Sequence, residues 1–187
     1  ADSFADLAPL MTDAASFAAG RRIVLSVVRD AAETEELLFD DQALITRQPS
    51  AIDTLLICST LSPRYVAELR ARIPQSIALV DAPMSGASVS AEEARLSFML
   101  GGSPHDLERL QPLFDAMGDK FHRMGPYGSG MTVKVLNNFC AASSTAATRM
   151  VLRWAAQLGV EEDSLLAVLN DSSGQNWFAS NYERIEF

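Results

Sequence analysis

The sequence predicts an α/β fold: a parallel-sheet domain over residues 1–127, joined by a long helix to the start of an all-helical domain over residues 128–187. Three observations carry this. Short β-branched apolar runs alternate with amphipathic helical patterns, which is the rhythm of strands linked by crossover helices. The stretch from Met131 to Leu158 contains neither proline nor glycine. Beyond it, only helical spacing is found, interrupted at Gly159 and Gly174.

Taken in order, Asp2–Leu10 and Asp13–Ala19 read as short helices, with Thr12 as the N-cap of the second and Gly20 as its end. Ile23–Val28, Thr54–Ser59 and Ile77–Val80 are the strands of a parallel sheet, and Ala31–Phe39 and Pro63–Ile73 are the helices between them, so helices are expected on both faces. Leu96–Leu100 is a further strand leading into Gly101-Gly102. Pro104–Met117 reads as one helix ended by Gly118, and Lys120–Met124 as the last strand.

A helix over Met131–Leu158 would run about 42 Å, enough to leave one domain and enter another. Its only charges are Lys134, Arg149 and Arg153, and Ala141–Ala147 is built of small residues, so burial on most sides is expected. Asp163–Asn170 and Trp177–Ile185 are the helices that follow.

Composition excludes several function classes. The chain has 187 residues, 48% hydrophobic and 21% charged, which is ordinary for a globular protein. A net charge of −9 with no basic cluster argues against a nucleic-acid partner. No window reaches the roughly 18 uninterrupted apolar residues of a membrane span. Cys58 and Cys140 fit neither a disulfide framework nor a metal-ligand spacing; packing roles and a reducing, cytoplasmic setting are expected. His105 and His122 lie in separate elements and are read as structural, which leaves little material for a histidine-based metal site or a serine–histidine triad.

Chemistry is concentrated in two places. Lys134 and Asn138 are four residues apart on the long helix, so they project from nearly the same side, with Asn137 flanking them. An ammonium that desolvation can deprotonate, beside a carboxamide that donates and accepts, suits a hydroxyl or carbonyl undergoing proton transfer. Spacing alone favours a snorkelling lysine beside an asparagine that caps or bridges helices. The second place is the carboxyl edge of the sheet, where ligands collect in such folds. There Arg29-Asp30, Ser59-Thr60 and Asp81–Ala87 share one side. Ser85 and Gly86 offer a hydroxyl and an open backbone amide for a carboxylate, although a plain proline- and glycine-rich turn reads the same way.

Four motifs in series, Ser59–Pro63, Asp81–Gly86, Gly101-Gly102 and the GxGxxxKxxNN pattern of Gly128–Asn138, resemble the β-hydroxyacid dehydrogenase family, which includes 3-hydroxyisobutyrate dehydrogenase, tartronate semialdehyde reductase and 6-phosphogluconate dehydrogenase. The resemblance covers nearly the whole chain and implies a Rossmann-like domain followed by an all-helical one. It also implies NAD or NADP as cofactor, a small 3-hydroxy acid or its semialdehyde as substrate, and a homo-oligomer formed through the helical domain. Lys134 is implied as catalytic acid/base, Asn138, Ser85 and Gly86 as substrate-binding, and Thr60, Val28 and Arg29 as lining the cofactor.

Departures are visible too. Ala87 stands at a substrate-binding position where the family has a second glycine, and Ser90, Ala94 and Arg95 replace a glycine-rich, threonine-bearing stretch. The dinucleotide fingerprint GxGxxG is absent, so both domains are expected to be incomplete, the chain a fragment, and its dinucleotide binding poor. The lysine disfavours imine reductases, which share the architecture, and no TyrxxxLys supports a short-chain dehydrogenase. The alternative is a non-catalytic ligand-binding or oligomerisation module derived from the family.

Overall fold

The computed structural model describes Leu7 and residues 9–184, apart from the side chains of residues 87–89 and 184. The chain divides into two compact units, Ala1–Val135 and Leu136–Phe187, so the division falls inside the long helix. The helix expected over Asp2–Leu10 lies largely outside the described residues.

The first unit opens with α1 (Ala14–Gly20), capped by Asp13, whose carboxylate accepts from the Ser16 N–H at 2.9 Å. Asp13 displaces the expected Thr12 because its carboxylate fits both the Ser16 amide and the Ser16 hydroxyl. Then come β1 (Ile23–Ser26), α2 (Ala31–Leu38), β2 (Thr54–Ile57), α3 (Pro63–Arg72), β3 (Ala78–Asp81), β4 (Met84–Ser85), α4 (Ala87–Glu92) and β5 (Leu96–Gly101).

Where one helix was expected over Pro104–Met117, there are two, α5 (Pro104–Arg109) and α6 (Gln111–Met117). Pro112 explains the break: its ring and missing N–H cannot continue a helix but suit the first turn of a new one. Strand β6 (Gly118–Gly125) follows.

The sheet is Rossmann-like in its first half. Strands β1, β2 and β3 pair in parallel, with Ser26, Ile57 and Asp81 in register at their carboxyl ends. Strand β5 runs antiparallel to β3 and β4 and parallel to β6, so the second half of the sheet points the other way.

Alternation of side chains along β2 and β3 divides the interior. Leu55, Ile57 and Leu79 face α1, α2 and α3, together with Val24, Leu38, Val66 and Leu69. Leu56, Cys58 and Val80 join Phe98, Leu100, Leu107 and Phe114 on the opposite face. Helices thus cover both faces of β2, and all four of its residues are buried. The buried thiol of Cys58 is pushed up to about 12 by desolvation.

Helix α7 spans Ser129–Gln157. In the second unit its continuation is joined by α8 (Glu162–Asp171), α9 (Trp177–Ser180) and a 3₁₀ turn (Tyr182–Arg184). A small core of Leu152, Leu166 and Ala179 holds this unit, and Asn176 caps α9 while donating to the Thr148 hydroxyl at 3.1 Å.

The expected burial of α7 on most sides is not found. Leu136, Phe139, Met150 and Trp154 are exposed, as is Cys140, for which a packing role was expected. The apolar composition of the helix was read as burial on most sides, whereas the described elements cover only part of its girth. His105 and His122, read as structural, are exposed surface residues. Among the described residues no helix is long and apolar enough to cross a membrane.

The rings of Phe98, Phe114 and Phe121 stand about 6 Å apart behind β5. Phe98→Ala is expected to destabilise the chain by about 3–5 kcal/mol, the usual cost of an emptied aromatic site, measured by urea unfolding.

Candidate active site

The site begins with an aspartate at the end of a buried strand. Asp81 is fully buried, and its two carboxylate oxygens accept from the backbone N–H of Gly128 at 2.7 Å and of Met131 at 2.5 Å; the Gly130 N–H is directed at it as well. These are first-turn amides of α7, which have no partner within the helix and prefer an anion. Burial outweighs these bonds and holds the Asp81 carboxyl above its ordinary range.

Two glycines allow the helix to start there. Gly128 takes φ +93°, a conformation costly for any residue with a Cβ. Gly130 lies so close to β5 that a Cβ would collide with the Met99 carbonyl oxygen. The next residue, Met131, is buried, and its sulfur accepts the Leu61 N–H at 3.2 Å, which ties the loop after β2 to the same turn.

One turn further on, the Lys134 ammonium donates to the Ser85 hydroxyl at 2.7 Å. Lys134 is only 8% exposed. Burial lowers its pKa from the ordinary lysine value of 10.5, with no carboxylate among the described residues offsetting the effect. A desolvated amine of this kind, hydrogen-bonded to a half-buried hydroxyl, can take or give a proton. Lys134 and Ser85 are 49 residues apart in sequence, so only the fold brings them together.

The remaining candidates fall in three groups. Gly86 is exposed beside Ser85, while the side chain of Ala87 lies outside the described residues. On the carboxyl edge, the Val28 N–H donates to the buried Ser59 hydroxyl at 2.9 Å, joining the ends of β1 and β2 and leaving Thr60 exposed next to them. Arg29 is exposed and pairs with Glu33. Asn138 lies on α7 in the second unit and is exposed, as is Asn137.

Sequence reasoning placed Asp81 and Ser59 on the carboxyl edge without giving either a role, and it passed over Met131. Asp81 did carry a signal, a carboxylate closing an apolar strand run, since such a charge must find buried donors.

Residues 2–125 match the family model described as the NAD binding domain of 6-phosphogluconate dehydrogenase, and residues 128–185 the model described as NAD-binding of NADP-dependent 3-hydroxyisobutyrate dehydrogenase. The chain belongs to the β-hydroxyacid dehydrogenase family. Among curated relatives of this family, the NAD-dependent L-serine dehydrogenase of Pseudomonas aeruginosa is 33% identical over 165 residues, covering 87% of this chain and 55% of the relative. The 3-hydroxyisobutyrate dehydrogenase of the same organism is 32% identical over 169 residues, with the same coverage of each. The structure of Mycobacterium tuberculosis 3-hydroxyisobutyrate dehydrogenase with L-serine superposes with a TM-score of 0.77 at 27% identity, over 89% of this chain and 56% of that one. The chain thus spans about half the length of the relatives it matches.

Both matched models describe nicotinamide-dinucleotide domains, and the carboxyl edge fits part of such a cofactor. At the start of α2 the Asp30 carboxylate takes the Glu33 N–H and the Glu33 carboxylate takes the Arg29 N–H, so two carboxylates stand where a phosphate would have to bind. What the edge does present is exposed Val27, half-buried Val28 and the exposed Thr60, an apolar and hydroxyl-bearing surface suited to a ring and its ribose.

Gly130→Ala is expected to cost more than about 2 kcal/mol, because its Cβ meets backbone that cannot yield. Gly128→Ala, whose Cβ meets open space, should cost only about 1–2 kcal/mol of backbone strain. Thermal unfolding of the two variants side by side checks the order.

The lowered pKa of Lys134 has a signature in stability. Between its folded value and the ordinary 10.5 the unfolded chain binds more protons, so this lysine's contribution improves as pH rises through that window and is least favourable below it. The stability of Lys134→Met relative to the parent should therefore decline as pH is raised toward 10.5, measured by urea unfolding at several pH values.

Proposed function

We propose that the protein is an NAD(P)-dependent oxidoreductase acting on a small 3-hydroxy acid or its semialdehyde, with Lys134 as the acid/base. The observation that carries this reading is the buried, carboxylate-free Lys134 ammonium held 2.7 Å from the Ser85 hydroxyl. Two of the similar proteins are named for L-serine and 3-hydroxyisobutyrate, both carboxylic acids with a hydroxyl on the third carbon, which supports the substrate class.

The chemistry that a bound nicotinamide would supply is hydride transfer, from the hydroxyl-bearing carbon in oxidation and to it in reduction. Val28, Thr60 and, more peripherally, Arg29 would line it along the carboxyl edge. The Ser85 hydroxyl and the Gly86 amide hold the substrate carboxylate, with Ala87 beside them. Lys134, as the neutral amine, takes the hydroxyl proton as the carbon–oxygen double bond forms. In the reverse direction its ammonium stabilises the developing alkoxide and then protonates it. Asn138, one turn further along α7, is assigned to the substrate hydroxyl by its helical spacing from Lys134. Assembly of the complete protein through its helical unit belongs to the same reading.

The lowered pKa serves both directions, since a lysine nearer neutrality spends more of its time as a base while remaining a competent acid. In the complete protein, Lys134→Ala is expected to lower kcat by about 100- to 10,000-fold while cofactor affinity stays within about threefold. Oxidation should rise with pH along a limb below 10.5, and reduction should fall along it. Steady-state kinetics with L-serine and 3-hydroxyisobutyrate, together with cofactor titration, check both; undiminished turnover in Lys134→Ala removes the proposal.

A further inference from the structure

We propose that Asp81 is a positioning residue for Lys134, and that its carboxylate sets the rotation and depth of the first turn of α7 and so places the ammonium on Ser85. This rests on the reading of Lys134 as the acid/base.

The geometry is that of a clamp with two contacts on one short segment. Asp81 and Ser85 are four residues apart on the stretch from the end of β3 through β4. At one end the carboxylate takes the Gly128 and Met131 amides of α7; at the other the hydroxyl takes the ammonium of Lys134. The same strand exit therefore grips the helix and receives its side chain.

The carboxylate has little room to move. A Cβ on Gly101 would collide with one of its oxygens, and one on Gly130 would lie 3.1 Å from the other. Each residue of an α-helix adds about 100° of rotation and 1.5 Å of rise. If the carboxylate met the next amide instead, Lys134 would turn by roughly that angle and leave Ser85. Hydrophobic contact alone does not impose such a register, because apolar surfaces slide past one another at small cost, whereas charged hydrogen bonds to particular amides do not.

Three further features of this turn support a shared purpose. Gly128 adopts φ +93° where its N–H meets Asp81, Gly130 permits backbone contact with Met99, and Met131 fixes the turn to the Leu61 amide. Each constrains the same rotation.

The test uses the complete enzyme and a double-mutant cycle. Asp81→Asn keeps the shape but turns a donor toward the amides of α7. Its kcat should fall about 100-fold, as for a reacting group displaced by an ångström, with KM values for substrate and cofactor within about threefold. In a Lys134→Ala background supplied with ethylamine as external base, adding Asp81→Asn should change the amine-supported rate less than about twofold, because no tethered lysine remains to be positioned. An equal loss in both backgrounds overturns the proposal, since Asp81 would then act on the fold at large, and so does a wild-type kcat in Asp81→Asn.

Asp81→Glu is a second arm, used should the asparagine variant not fold; it keeps the charge but moves it by one methylene. Reduced kcat with unchanged KM and an unchanged unfolding temperature supports the proposal, and parental kcat overturns it. A Lys134→Ala enzyme that turns over normally is a different failure: it removes the acid/base reading itself, and this inference with it.

Discussion

A carboxylate buried at the end of a strand, facing the unpaired amides of a helix, is the interaction on which the rest of the structure depends. Asp81 has left water entirely, and the cost of that is met only where backbone N–H groups replace the lost hydration. Helix α7 supplies them, because its first turn has amides without partners. Neither partner is comfortable alone, which makes their junction specific. Around it the chain has little freedom: Gly128 must accept a left-handed backbone, Gly130 must lack a side chain, and Met131 must lie in the crevice below Leu61.

From that junction the chemistry follows with few further assumptions. Lys134 lies one turn into α7 and reaches Ser85, on the segment that Asp81 begins. Burial of a lysine is unfavourable, and here no carboxylate compensates for it. Such an arrangement weakens the fold, and the proposed acid/base role gives the less charged state a use. The pattern fits a site where stability has been exchanged for a proton-transfer group, as expected of catalytic positions.

Much of this could be read from the residues. The apolar runs located β1, β2, β3 and β5, and the order of four motifs located the family, because burial patterns and glycine-dependent turns are local properties of a sequence. Lys134 and Ser85 were recognisable singly, but their contact was not, since it depends on how β3, β4 and α7 meet. The split of the expected helix at Leu110 follows from Pro112, a signal that was present and outweighed by the apolar spacing around it. The surface of α7 shows the opposite error: burial on most sides was expected, yet Leu136, Phe139 and Trp154 are exposed, because apolarity records only that a surface prefers cover and does not name the cover. Asp81 was the largest omission. A motif reading treats it as the first letter of a loop, and its significance appears only when the amides it serves are found more than forty positions away.

The two thiols of the chain have very different surroundings. Cys58 directly follows β2 inside the core, its thiolate suppressed by desolvation, whereas Cys140 stands exposed on α7. For a reagent specific for thiols, the folded chain therefore has one address. The second becomes available only when the core around β2 opens, so the chain carries its own reporter on the integrity of the sheet that ends in Asp81, silent while that sheet is closed.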